Sequence, residues 1–463
     1  MFLVILLLVA HAPISVCFVN HASVATKPSN VVRMTGEIDA SIIPKNDKKL
    51  KFGLGSIAFS LLPLSPESVG RRKTLMTEII KDKIYTLDQV QGIINVNVPV
   101  RCTIINLKDG LFINNPVAPT EECIQMVRDL SKRLNKEVKY IVLSSLGIEH
   151  KGTSGIFSSY FPKAKVFVQP GSYSFPINLP NILFYRFMTD IRDIPEKASD
   201  APWSDEIDHL ILGPLKPKGA GGFAETAFFH KSTGTLLVTD VVVKVLDEIP
   251  AIIDEDPRAL LYHARDDMTE VVKDTRENRL KGWRRMVLFA LTFQPSGIEV
   301  LDTFDAIKMV DSVPESMKFL GNGAIPYDGR LYPWRWIKDE RPNFAALQGG
   351  LLVAPILQKL ILNREPQKVL NWVDSVCKWP IKRIIPCHLA NNIVASSKDF
   401  RDAFSFLEEE EQESSFISSL FGRSRAKLPR PNEDDCKLLS DASVLLTKNN
   451  VLFEEGERVR RRK

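Results

Sequence analysis

Apolar and polar residues first fall into a readable period at Ile84. From Ile93 to Val98 the two kinds alternate, and Arg101 to Leu107 forms a second extended run. Asp109-Gly110 then separates that run from Leu111-Phe112-Ile113, the two-residue signal of a hairpin. Thr120 precedes Glu121 and Glu122, so a helix is predicted to start there, with an N-cap and acids in its first turn. Tyr140 to Leu143 is a short apolar run, the length of a buried strand. It opens into a polar stretch, Ser144-Ser145-Leu146-Gly147-Ile148-Glu149-His150-Lys151. A short helix is predicted from Gly155 to Tyr160, a strand from Lys165 to Val168 and a turn at Pro170-Gly171.

The second half repeats the strand signal and adds helices. Ala224 to Asp240 reads as strand, turn and strand ending in an acid. His230 falls at that turn and reads as a surface residue, whereas Glu225, at the start, has no face assigned by the pattern. The strand pattern then stops for about a hundred residues, about 244–343, the length of an inserted helical subdomain. Within it, Glu277 to Phe293 is an amphipathic helix with Lys281, Arg284 and Arg285 near Trp283, closed by Pro295-Ser296-Gly297. Such a helix either touches a lipid surface with its basic end or packs its Leu288–Phe293 half into a core.

Phe344 to Leu362 approaches the length of a membrane span. Gln348, Gln358 and Lys359 would be costly in hydrocarbon and Pro355 interrupts the run, so two buried helical pieces and no transmembrane helix are predicted. Pro366 to Val376 is a further helix, and Ile381 to His388 a strand that closes on histidine. From Glu408 the chain turns acidic, then rich in Ser, Arg and Pro, so 408–463 reads as a linker, a short helix near Asp434 to Leu446 and a basic tail.

Composition narrows the class. The 463 residues can bury a large core, and 44% hydrophobic with 25% charged residues is ordinary for a globular protein. A net charge of +5 is small, and no zinc-finger spacing or RNA-binding signature accompanies the Arg458–Lys463 tail, so no nucleic acid partner is expected. Six cysteines, at 17, 102, 123, 377, 387 and 436, include no C-x-x-C pair, which suits a reducing compartment.

Residues 1–17 carry an apolar run, Phe2 to Ala10, followed by Pro13 and small residues, in the manner of a signal peptide. Phe18 to Gly36 holds Lys27 and Arg33 and no acid, so 18–72 reads as a transit-like segment and a loose lead-in. The combination resembles the two-part presequence of algae whose plastids lie inside extra membranes. It implies a plastid (chloroplast) location, with a secreted protein as the alternative.

The polar stretch after Tyr140–Leu143 resembles the signature loop of the metallo-β-lactamase-like superfamily, T-H-x-H-x-D-H-x-G. Ser144 takes the Thr position, Ser145 and Gly147 the first two His positions, and Glu149 and His150 the Asp-His pair. The resemblance implies an α/β chain folded as an αββα sandwich, here with a helical insertion. Asp88-Gln-Val-Gln-Gly92, Asn115-Pro-Val-Ala-Pro-Thr120, Glu149-His-Lys151, Phe161-Pro-Lys-Ala164 and Ser174-Phe-Pro176 further resemble an uncharacterised domain-of-unknown-function family of photosynthetic organisms, over about 84–407. That family brings no assigned reaction.

The resemblance also sorts the metal ligands. Site one of the superfamily needs three histidines, and its positions here are Ser145, Gly147 and the Gly221-Gly222 region. Site two falls on Glu149, His150, Asp240 and His388, with Thr239 in place of the usual Gly before Asp240. His150, Asp240 and His388 are therefore expected to hold one Zn, Fe or Mn ion, with Glu149 as fourth ligand or general base. Cys387 beside His388 is not a nucleophile–base pair, since neighbours on a strand face opposite ways. No serine-nucleophile motif or phosphate-binding loop occurs elsewhere. Two readings follow: a mononuclear metal-dependent hydrolase of unknown small-molecule substrate, or a non-catalytic scaffold for a protein partner, peripheral to a plastid membrane.

Overall fold

The computed structural model describes residues 73–93, 95–170, 190–215, 222–321, 328–409 and 428–460. The segments 1–17 and 18–72, Gly171, Ser174-Phe175-Pro176, Gly221 and most of the 408–432 linker lie outside the described residues.

Seven strands form the first sheet in chain order. They are β1 (Leu75–Ile80), β2 (Ile84–Ile93), β3 (Val96–Leu107), β4 (Gly110–Asn114), β5 (Val138–Leu143), β6 (Lys165–Val168) and β7 (Ile191–Asp193). The first four make an antiparallel meander, and β5 to β7 add to it in parallel. The alternating run expected at Ile93–Val98 is not one strand. Asn95 takes a left-handed φ of 64°, which Asn tolerates better than most residues, and the chain reverses there from β2 into the long β3. The hairpin at Asp109-Gly110 forms where the sequence puts it, with Leu107 paired to Gly110.

The second sheet begins with β8 (Ile207–Leu215), β9 (Phe223–His230) and β10 (Thr235–Leu237). A small two-stranded sheet, β11 (Ile298–Val300) and β12 (Trp334–Trp336), lies inside the insertion. After it, β13 (Arg383–Ile385) and β14 (Ile393–Val394) complete the order β14-β13-β10-β9-β8. The β10–β13 pair is parallel, so both strands deliver their following loops to the same end of the sheet.

Strand alternation sets the layers. Leu111, Ile113, Ile141, Leu143 and Val166 pack on one face with Cys123, Val127 and Leu130 of the Glu121–Leu134 helix and Phe157 of the Ile148–Ser159 helix. Their neighbours Phe112, Tyr140, Val142 and Phe167 face Phe228, Leu237 and Ile385 of the second sheet, around Trp203. Fully burying one such side chain is worth roughly 1.5–3 kcal/mol. The outer face of the second sheet, with Phe229, Leu236 and Ile384, packs on the Pro355–Leu360, Pro366–Val376 and Lys437–Lys448 helices. Helix, sheet, sheet, helix is the αββα sandwich of the metallo-β-lactamase-like fold.

The insertion has its own core, in which Leu260, Tyr262, Met286, Leu288 and Phe344 meet Trp334 and Trp336. The Arg276–Thr292 helix crosses the Arg258–Ala264 helix so closely that a Cβ on Gly282 would lie 1.8 Å from the Leu260 carbonyl oxygen. This packing is the core-packed arrangement of the basic helix, and not the lipid-facing one. Trp283 is 2% exposed and donates its indole N–H to the Leu246 carbonyl, while Lys281, Arg284 and Arg285 pair with Asp266, Asp247 and Glu340. The 344–362 stretch divides into helical pieces ending at Ala346 and starting at Pro355, and no helix among the described residues is long and apolar enough to cross a membrane. The five described cysteines are free.

Candidate metal centre

Four chain segments meet at the carboxyl ends of parallel strands, where an α/β architecture leaves backbone to line a crevice. Asn115 follows β4, Ser144 to His150 follow β5, Thr239 and Asp240 follow β10, and Cys387 and His388 follow β13. The segment after β5 differs from the expected loop. It enters a helix at Ile148, with Gly147 at the N-cap position, so Glu149 and His150 sit in the first helical turn rather than in a turn preceding Gly155. The side chain of Glu149 lies outside the described residues.

His150, Asp240 and His388 bring one ligand atom each to within 4.8 Å of one another. The Asp240 carboxylate oxygen Oδ1 is 3.2 Å from His388 Nε2 and 3.7 Å from His150 Nε2, and the two imidazole centroids are 5.2 Å apart. In a tetrahedral site with bonds of about 2.1 Å, ligand atoms stand about 3.4 Å from one another. The two distances to Asp240 bracket that value, and with all three ligand atoms within 4.8 Å of one another the group could hold one ion. His150 is buried, whereas the Asp240 and His388 side chains keep 19% and 17% of their surface, so solvent reaches the cluster from their side.

The imidazole of His388 is oriented for ligation. Its Nδ1 lies 2.9 Å from the Pro99 carbonyl oxygen, which can only accept, so Nδ1 carries the proton and Nε2 faces Asp240. A neutral imidazole would then oppose its lone pair to a carboxylate oxygen, an arrangement relieved by a proton or a cation between them. Burial works against ionising Asp240, but once the His150 and His388 rings are both protonated their hydrogen bonds and charges outweigh it and hold the carboxyl well below the usual range.

Glu225, for which sequence had no face, supports Asp240 from beneath. It is fully buried, and its carboxylate accepts the backbone N–H groups of Thr239 at 2.5 Å, Asp240 at 2.8 Å and Val241 at 3.2 Å. Burial first, then the neighbouring Asp240 charge, pushes its carboxyl up to about 8.

Ser145, at a lost histidine position, stands 3.4 Å by Oγ from Asp240 Oδ2 and accepts from the Gly147 N–H at 3.1 Å. None of the other described histidines replaces the missing imidazoles in the cluster. His230 is buried rather than at the surface, because it is the last residue of β9, paired with Thr235 and Ile207, and its Nδ1 bonds Thr233; burial drops it to about 4. His209 bonds the Pro195 carbonyl and His263 the Asn95 carbonyl.

Sequence reasoning missed Asn115, which ties the other three segments together. Its Oδ1 accepts from Ser144 N and Ser144 Oγ, both at 2.9 Å, and its Nδ2 donates to Thr239 Oγ1 at 2.9 Å and Cys387 Sγ at 3.1 Å. All four bonding positions of the carboxamide are used, at 1% exposure. A signal was present: Asn115 adopts φ 49°, and Asn-Pro after a strand is a place where such backbone is expected.

Solved structures with a similar fold include a flavo di-iron protein from Thermotoga maritima, 8% identical, with TM-score 0.38 over 73% of this chain and 64% of that one. A flavodiiron core from Synechocystis is 10% identical, with TM-score 0.35 over 72% and 60%. A metallo-β-lactamase from Hirschia baltica is 10% identical, with TM-score 0.27 over 46% and 97%. The chain thus spans less than two thirds of the length of the flavodiiron proteins. No curated protein matches it in sequence. A family model does match, from residue 81 to residue 406, and by that match the chain belongs to the family described as a domain of unknown function, DUF4336.

Proposed function

We propose that this protein is a mononuclear metal-dependent hydrolase built on the metallo-β-lactamase-like sandwich, with one of the two superfamily metal sites kept and the other closed. The observation that carries the reading is the convergence of His150, Asp240 and His388 on one point at the mouth of the sandwich. Two imidazoles and a carboxylate suit a Zn, Fe or Mn ion, which when bound supplies an acidified water and polarises a substrate oxygen. The residues of the chain hold the geometry: Asp240 stays ionised, His388 keeps Nε2 towards the centre, and Glu225 fixes the Asp240 backbone. Glu149, one residue before His150, is proposed as fourth ligand or general base. The acid-free segment after Phe18 supports a plastid location for the mature chain.

A second reading is a non-catalytic scaffold on the same fold. The hydrogen bonds that join Ser145, Gly147 and Asp240 favour it, because they engage Asp240 Oδ2 with a hydroxyl instead of a second ion. Elemental analysis of purified, chelator-rinsed protein separates the two. About one transition metal per chain, lost in His150→Ala and His388→Ala but kept in His230→Ala, supports the hydrolase reading. No metal with the wild-type chain leaves the scaffold, and two per chain refute the mononuclear assignment.

A further inference from the structure

We propose that Arg101 is a positioning residue for His388, acting with Asp88 as a buried clamp between the two sheets; this rests on the metal reading above. Arg101 lies on β3 of the first sheet, while His388 lies in the loop between β13 and β14 of the second. The Arg101 side chain is 3% exposed, and its Nε is 2.7 Å from Asp88 Oδ1 on the adjacent strand β2. Its remaining donors reach across the sandwich. Nη1 donates to the Pro386 carbonyl at 2.7 Å and the Ala390 carbonyl at 3.4 Å, and Nη2 donates to the Leu389 carbonyl at 3.1 Å.

Those three carbonyls lie on both sides of His388 in the chain, so one planar guanidinium holds the backbone before and after the ligand. The same strand supplies Pro99, whose carbonyl takes the His388 Nδ1 proton. A third tie, Asn391 Nδ2 to Thr86 Oγ1 at 2.9 Å, joins the loop to β2. The loop needs such restraint. Leu389 has φ 55°, a left-handed backbone that a branched side chain rarely adopts, and it persists only where surrounding contacts over-determine it. The carbonyl turned out by that conformation is one of those Arg101 binds. A ligand loop from one sheet is therefore set by the β2–β3 hairpin of the other, and the 3.2 Å approach of His388 to Asp240 follows from it.

Lysine at 101 keeps the charge opposite Asp88 but cannot span three carbonyls with one ammonium. Arg101→Lys is expected to lower cobalt affinity about 10- to 100-fold, the usual effect of losing a group that orients a metal-bound histidine. It should also change the visible spectrum of the cobalt-loaded protein and lower the metal-free melting temperature, because buried carbonyls of the loop lose their donor. Hydrogen exchange of the metal-free protein should speed up at the amides of 386–392 and not elsewhere. Unchanged affinity and spectrum in a folded variant would overturn the clamp. If Arg101→Lys fails to fold, the double variant Arg101→Met with Asp88→Asn removes both charges together and is read the same way. If the wild-type chain takes up no cobalt, the metal reading falls. The exchange measurement then still decides the clamp, for which protection unchanged from wild type is the refuting result.

Discussion

Replacing Asn115 with alanine removes the one side chain that touches three of the site-bearing segments, and its cost can be worked from the contacts. The Ser144 N–H is fully buried and donates its hydrogen bond to the Asn115 carboxamide oxygen, so alanine leaves it unsatisfied, a loss of about 1–3 kcal/mol. The hydroxyls of Ser144 and Thr239 are already 3.0 Å apart and can satisfy each other, so their share is small, about 0.5 kcal/mol each. The Cys387 thiol is a weak partner and adds little. About 2–4 kcal/mol is the expected total. Guanidinium titration of the metal-free protein, followed by tryptophan fluorescence, reads it as a lower midpoint at unchanged slope. Asn115→Asp supplies the contrast. It keeps an acceptor for Ser144, but places a carboxyl at a position only 1% exposed, where burial raises its folded-state pKa above about 3.9. A raised folded pKa means that stability is present at low pH and lost as pH rises, so the aspartate variant should be closest to wild type in acid and worsen towards neutrality. A loss below about 0.5 kcal/mol for alanine would refute the reasoning, since it would mean the Ser144 N–H finds another partner without rearrangement.

His263 is fully buried in the insertion, and burial, with Arg265 and Arg285 nearby, drives its imidazole down to about 3. The unfolded chain then binds the extra proton between about pH 6.5 and 3, so stability is full above that window and falls as pH drops through it. His263→Phe should flatten part of this acid limb in melts taken from pH 7 to 4, and an identical slope would contradict the assignment. Deleting residues 428–460 removes Leu439, Leu446 and Leu452 from the core over the second sheet, and takes from the largely buried Arg364 its contacts with Ser443 and Phe453. At roughly 1.5–3 kcal/mol for each leucine, the shortened chain should melt lower and be cut faster by protease, and equal resistance would show that the segment is dispensable.

The sandwich was legible because its strands carry the period of two on which layers depend. Leu111, Phe112 and Ile113 show it in three residues: the outer two face a helix and the middle one faces the other sheet. The Thr120 N-cap was legible for the same local reason, and it accepts the Cys123 N–H as its position demands. What failed was local backbone geometry set by distant contacts. Composition around Asn95 looks like strand on both sides, and only the left-handed φ shows the reversal. The sequence left two readings of the basic residues near Trp283, because their partners Asp247, Asp266 and Glu340 lie 37, 19 and 55 residues away from the arginines they bind.

The centre followed a different logic. A metal ligand is recognisable in sequence by residue type, whereas the groups that aim it are ordinary residues in unrelated strands. His150, Asp240 and His388 stand out as imidazole and carboxylate at strand ends; Asn115, Glu225 and Arg101 do not, although they bond the backbone or side chains next to each of them. The pattern of loss bears on function through these supporting groups. A site being dismantled leaves its buried carboxyl and guanidinium without a task; a buried polar group without partners costs about 1–3 kcal/mol and a buried charge more. Here Glu225 still accepts three backbone N–H groups under Asp240, and Arg101 still grips three carbonyls around His388. Under the proposed reading, Ser145 and Gly147 stand where a second site would need imidazoles, while the groups that support Asp240 and His388 are all in place. That asymmetry is what a chain with one working site would carry, and it is why removing Arg101 or Asn115 tests the centre as directly as removing a ligand.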